Sequence, residues 1–236
     1  MRLNGPENAA WRIVLAHGAG QGMDSAFMTA FAEGLCARGA RVGGLRVARF
    51  EFPYMQIMRS SGQRRPPDRQ AELINAWQKA LALLADQGIA HQRLVIGGKS
   101  LGGRIASLIA DQARVAALVC LGYPFHPPGK PTQTRTEHLR TLQTPTLICQ
   151  GTQDAFGNQA EVQSYPLSSS IRLCWLDQAD HSFKPRTGTG FTQAAHFGQA
   201  MSAIIEFINE LSGGAENGSG RPESKAHGTP PKRPIR

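Results

Sequence analysis

The chain has 236 residues, 41% of them hydrophobic and 18% charged, and 26 Lys and Arg against 17 Asp and Glu give a formal charge of +9. That length fits a single α/β domain, and without a run of 18 or more apolar residues no membrane-spanning helix is expected. The basic residues are scattered and not interleaved with aromatics, which excludes specific nucleic-acid recognition and leaves only non-specific attraction to polyanions.

Met1 to Pro6 has neither the apolar stretch nor the small-residue cleavage site of a signal peptide, so a cytoplasmic protein with no membrane partner is expected. The first apolar run predicts a strand over Arg12–Ala16, which leads into the small-residue turn His17-Gly18-Ala19-Gly20. A helix over Asp24–Arg38 and a strand over Leu45–Phe50 follow. After Pro66-Pro67, Asp68 is placed as the N-cap of a helix reaching Gln87, with Leu73, Trp77, Leu81 and Leu84 on its core face. Then come a strand over Leu94–Gly98, a helix over Leu101–Gln112 and strands over Ala116–Gly122, Thr146–Gln150 and Ile171–Leu176. A helix over Gln193–Leu211 closes the series.

The strands are nearly continuous in Val, Ile, Leu and Cys, as strands buried on both faces are. Their alternation with helices predicts an α/β fold with a mostly parallel sheet of about six strands, helices on both faces and no large lid domain. The domain is expected over residues 1–212. Residues 213–236, rich in Gly, Pro, Ser and basic side chains, read as a disordered tail. Cys36, Cys120, Cys149 and Cys174 are too widely spaced for a zinc site and read as free thiols, so no metal or cofactor is expected.

The most specific signal is Gly98-Lys99-Ser100-Leu101-Gly102, a G-x-S-x-G turn between a strand and a helix that would hold a serine nucleophile. A phosphate-binding loop would need glycine at position 93, which is Arg93. Lys99 is expected to pack its stem along this turn with the ammonium in solvent, attraction of an acidic substrate being the other option. Serine chemistry needs a base and an acid, and in open α/β sheets these gather at the carboxyl ends of strands. Asp154 follows the fifth expected strand and His181 the sixth, with Asp177 and Asp180 as rival acids. Oxyanion donors are placed at the N–H groups of Leu101 and Ala19, Gly18 being the nearest rival. Tyr54, Tyr123, Phe125 and His17 are expected to line the pocket, with His126 a further candidate.

These stretches resemble the α/β-hydrolase superfamily, in its dienelactone-hydrolase-like branch. HGAG at residues 17–20, RFEFPYM at 49–55, GGKSLGGR at 97–104, GYPFHPPGKP at 122–131, QGTQDAFG at 150–157 and DHSFKPR at 180–186 carry the resemblance. Narrowed further, they are similar to short bacterial hydrolases related to a testis-expressed animal protein and to the hydrolase-like domain of a non-specific-lethal chromatin-complex subunit. The resemblance implies the α/β-hydrolase fold and a hydrolase site at Ser100, Asp154 and His181. Dienelactone hydrolases use a cysteine nucleophile where this chain has Ser100, so their reaction is not implied. The expected function is a serine hydrolase acting on a carboxylic ester or related acyl bond of a small molecule, through a Ser-His-Asp triad and an acyl-enzyme. The alternative is a catalytically silent interaction scaffold of the same fold. The oligomeric state is not legible.

Overall fold

One sheet organises the chain. The computed structural model describes residues 1–86 and 88–216. Its strands are β1 (Arg2–Asn4), β2 (Trp11–Ala16), β3 (Leu45–Phe50), β4 (Leu94–Lys99), β5 (Ala117–Leu121), β6 (Thr146–Gly151) and β7 (Ile171–Leu176). The helices are α1 (Ala26–Arg38), α2 (Pro53–Ser61), α3 (Gln70–Asp86), α4 (Leu101–Ser107), α5 (Ala110–Ala113), α6 (Gln159–Gln163) and α7 (Gln193–Glu216). In space the strands run β1-β3-β2-β4-β5-β6-β7, all parallel except β1, which is antiparallel to β3.

Two apolar layers sandwich this sheet. Ile96, Leu118, Cys120 and Ile148 face the layer that holds Trp77 of α3 and Ile105 of α4. Val95, Ala117, Val119 and Leu147 face the opposite layer, with Phe31 of α1 and Ile204 of α7. Both sets are fully buried, which is why the strands read as continuous apolar runs. The expected parallel sheet, helices on both faces and lack of a lid domain are all present. Among the described residues, no helix is long and apolar enough to cross a membrane.

The differences from the sequence reading have local causes. β1 is three residues of largely exposed chain with no apolar signal, and tertiary bonds hold it. The buried Arg49 guanidinium of β3 donates to the Asn4 side chain at 2.9 Å and to Met23 O at 2.9 Å. The helix expected as one piece from Leu101 to Gln112 breaks after Ser107, whose hydroxyl bonds back to Arg104 O at 2.7 Å and so competes with the helical ladder. α2 and α6 were not anticipated, although Pro53 at the first helical turn and the Asn158/Glu161 capping box are start signals. α1 begins at Ala26, capped by Ser25, because Asp24 is engaged by both guanidinium nitrogens of Arg59 at 2.8 and 2.9 Å. Arg59 also bonds Glu51, so α2 clamps the loop that follows β2. α7 extends past Leu211 to Glu216, so residues 213–216, expected to begin the disordered tail, are helical, and the rest of the expected tail, 217–236, lies outside the described residues.

Asp68 does cap a helix, but a different one. Its carboxylate accepts from Tyr54 N at 2.8 Å, closing the first turn of α2 and not that of α3. Losing such a cap typically costs about 1 kcal/mol. Asp68→Ala should therefore lower the unfolding free energy by about 1–2 kcal/mol in urea titration with an unchanged m-value.

Candidate active site

The sheet order places the site. β2 and β4 are neighbours whose connections leave in opposite directions, and the crevice beyond their carboxyl ends is where open α/β sheets take ligands. Ala16 of β2 pairs with Gly98 of β4, so the turns following both strands emerge side by side. A Cβ on Gly98 or on Gly102 would run into the Ala16 carbonyl, and only glycine permits this approach. Between them Ser100 adopts φ 50° and ψ −113°, a strained backbone for a residue with a side chain. Its N–H is held by Leu121 O at 3.1 Å and its hydroxyl stands above the sheet edge.

Asp154 follows β6 and is fully buried. Its Oδ1 accepts from Phe156 N at 2.8 Å, and its Oδ2 accepts from the Gln150 amide at 2.9 Å and from His181 Nδ1 at 2.7 Å. With a carboxylate on Nδ1, that nitrogen carries the proton. Nε2 is then free to accept from the Ser100 hydroxyl, 2.9 Å away. The Phe156 ring stacks on the imidazole with centroids 4.1 Å apart. Burial is the largest influence on His181 and holds its pKa below the ordinary 6.5; the Lys99 charge pushes the same way and Asp154 opposes both.

Ser100, Asp154 and His181 thus form one hydrogen-bonded chain. The rival acids are engaged elsewhere or remote. Asp180 accepts from the N–H groups of Ser182 and Lys184 at 2.8 and 2.9 Å, closing its own turn, while Asp177 is exposed.

Beside Ser100 lies an open hollow of about 230 Å³, lined by Gly18, Ala19, Phe27, Met28, Phe156 and His181 among others. A larger cleft of about 740 Å³ sits against α2 and α3 with Glu72 and Lys79 in its wall, but it contains none of the three groups. Neither the Ala19 nor the Leu101 N–H finds an acceptor among the described residues.

The aromatic lining expected from the sequence needs correcting. His17, Tyr54, Tyr123 and Phe125 are each fully buried and stand behind the hollow, not on its surface. His17 donates from Nδ1 to Gly18 O at 2.7 Å and accepts at Nε2 from Phe52 N at 3.0 Å. Because a trans peptide sets C=O and N–H on opposite sides, this bond turns the Ala19 N–H away from His17. The Tyr54 hydroxyl donates to Ala19 O at 3.1 Å, and that of Tyr123 to Arg135 O at 2.9 Å. Phe125 packs in the core beside Tyr123. His126 is also buried and faces Glu161 at 3.3 Å.

Lys99 departs further. Position 99 has the same parity along β4 as Val95, so its side chain turns toward α1, where it is half-buried and forms part of the wall of the hollow. Its ammonium donates to His181 O at 2.6 Å and lies 5.5 Å from the centre of the Phe27 ring.

Two residues escaped the sequence reading. Gln150 is a polar residue near the end of an apolar strand and opens the QGTQDAFG stretch, but neither feature by itself indicates what it bonds. Its amide donates to Asp154, Tyr123 O and Gly157 O, and its carbonyl accepts from Tyr123 N at 2.7 Å. Phe156 was visible only as an aromatic two residues past Asp154.

A family model described as an alpha/beta hydrolase domain matches residues 9–209. Among solved structures, the chain is similar to an alpha-beta serine hydrolase homologue from Coxiella burnetii, with TM-score 0.59, 17% identity and 88% of each chain covered. It is similar to dienelactone hydrolase from Anabaena variabilis, with TM-score 0.58, 22% identity, and 89% of this chain and 88% of the other covered. A serine hydrolase without a lid from Xanthomonas campestris matches with TM-score 0.56 and 14% identity over 93% of this chain and 89% of its own. At these identities the structures establish the fold.

Gln150→Leu would leave Asp154 and three backbone groups short of a partner, and each buried unsatisfied group costs about 1–3 kcal/mol. Urea denaturation should show a loss of at least about 2 kcal/mol, with the His181 Nδ1 proton resonance broadened as its carboxylate partner loosens.

Proposed function

The chain belongs to the alpha/beta hydrolase domain family, and from that premise we propose that it is a serine hydrolase cleaving a carboxylic ester or related acyl bond of a small molecule. The observation that carries this reading is the pair of hydrogen bonds, 2.9 Å from Ser100 to His181 and 2.7 Å from His181 to Asp154.

In the reaction, His181 Nε2 takes the proton from Ser100 Oγ as that oxygen bonds to the substrate carbonyl carbon. Asp154 keeps the ring in the required tautomer and stabilises the imidazolium. The N–H groups of Ala19 and Leu101 receive the negative charge that develops on the carbonyl oxygen. His181 returns its proton to the leaving alkoxide, which departs as the alcohol and leaves an acyl-Ser100 ester. Water, deprotonated by His181, then attacks that ester, releases the acid and restores the serine.

A hollow of about 230 Å³ is below the roughly 300–1,000 Å³ of sites that enclose drug-sized ligands. It accommodates a short acyl group and leaves the rest of the substrate in water. A silent scaffold would have no use for a strained serine aligned with a neutral imidazole. The expected cytoplasmic setting belongs to this proposal, and the four free cysteines are compatible with it.

Purified protein should label with a fluorophosphonate probe, and Ser100→Ala should not label while melting at the same temperature. Equal labelling of that variant would remove Ser100 from the chemistry. Asp154→Asn should lower kcat by about 10⁴-fold. Among p-nitrophenyl esters, acetate and butyrate should exceed decanoate in kcat/KM. The acid limb of kcat/KM follows from the sign of the His181 shift. The base must be neutral and its pKa lies below 6.5, so activity should persist at pH 6.5 and fall only at lower pH.

A further inference from the structure

The half-buried Lys99, next to Ser100 in the wall of the hollow, plays no part in the scheme above. We propose that Lys99 is a positioning residue for His181: its ammonium grips the His181 carbonyl and so keeps the imidazole on the line between Asp154 and Ser100. This assignment rests on His181 acting as the base.

Three observations support it. The Lys99 Nζ to His181 O distance is 2.6 Å, a short charge-assisted hydrogen bond. The ammonium has no carboxylate ion-pair partner among the described residues; the Phe27 and Phe183 rings, 5.5 and 5.9 Å from it, flank it instead. Space has also been left for the contact. A Cβ on Gly122, which has φ +67°, would sit 2.8 Å from Lys99 Nζ and 3.0 Å from His181 O.

His181 is therefore held at two points, its ring by Asp154 and its backbone by Lys99. The two anchors carry opposite charges, so the buried Asp154 carboxylate has a counter-charge across the histidine. The charged groups that bear on Lys99 are Asp154, after β6, and Asp180, after β7, while α1 presents only Phe27. Burial lowers the Lys99 pKa to about 8, and these two carboxylates oppose that shift. The grip is complete at neutral pH and weakens as the ammonium loses its proton above it.

The test uses the full chain and a short p-nitrophenyl ester. Lys99→Met keeps the stem and removes both donor and charge. Its kcat should fall roughly 10- to 100-fold, the scale of a misplaced catalytic group, with KM within about twofold. Its acid limb should move to higher pH, because the cation that disfavoured imidazolium is gone, and its melting temperature should not drop. An unchanged kcat and acid limb would overturn the assignment, and so would a rise in KM alone, which would make Lys99 a substrate-binding group. Wild-type protein labelled with carbonyl-¹³C histidine gives an answer even if the variant does not fold. The His181 carbonyl signal should titrate with the Lys99 ammonium, whose pKa burial lowers to about 8, and a trace that stays flat up to about pH 11 would refute the grip. This second readout does not depend on turnover. A titrating carbonyl in a protein that hydrolyses no ester would leave the anchor standing and sink the hydrolase reading.

Discussion

His181 can meet Ser100 only because a loop from the edge of the sheet crosses the ends of two intervening strands. Ser100 tops the central β4, Asp154 follows β6, and His181 comes from beyond β7, with β5 and β6 in between. That crossing is close to backbone throughout. At Gly151, which ends β6, a Cβ would collide with the carbonyls of Ala179 and Asp180, and Gly122 leaves the same clearance just past β5. The arrangement therefore depends on bare backbone at two strand ends as much as on the three side chains it brings together.

The polar groups behind the hollow form its frame. Gln150 fixes the turn bearing Asp154 from inside the sheet, His17 sets the plane of the Gly18–Ala19 peptide, and Tyr54 holds the next carbonyl. Each is fully buried and bonded to main chain. Burial keeps such bonds free of competing water, so the turns around Ser100 are set before any substrate arrives. Arg59 does the equivalent from the half-exposed side, tying Asp24 and Glu51 together across the loop that carries Ala19.

The sheet is legible because β2 through β6 are almost wholly buried and read as apolar runs; β7 is only partly buried, and its run Ile171-Arg172-Leu173-Cys174-Trp175-Leu176 is still largely apolar. Leu45–Phe50 and Ile171–Leu176 were located to the residue. β1 was not, because Arg2, Leu3 and Asn4 carry no periodic signal and are placed by Arg49, a contact 45 residues away along the chain. At the site, residue types and strand-end positions were enough to single out Ser100, Asp154 and His181. The surroundings were harder. An aromatic beyond a strand end can face the hollow or turn under it, and Tyr54, Tyr123 and Phe125 all turn under. The habits of lysine place the Lys99 ammonium in solvent, whereas the parity of β4 turns it toward α1, where it stays half-buried in the wall of the hollow. That parity could have been counted from Val95 and Gly97.

The strain at Ser100 has a further meaning. Its unusual backbone angles are enforced by the contacts of Gly98 and Gly102 with β2 and by the Leu121 carbonyl, none of which involves the hydroxyl. The scaffold thus bears the conformational cost whatever small side chain occupies the summit. Exchange of oxygen for sulfur at that summit touches none of the contacts that impose its backbone, so the reactive atom is separable from the architecture that presents it.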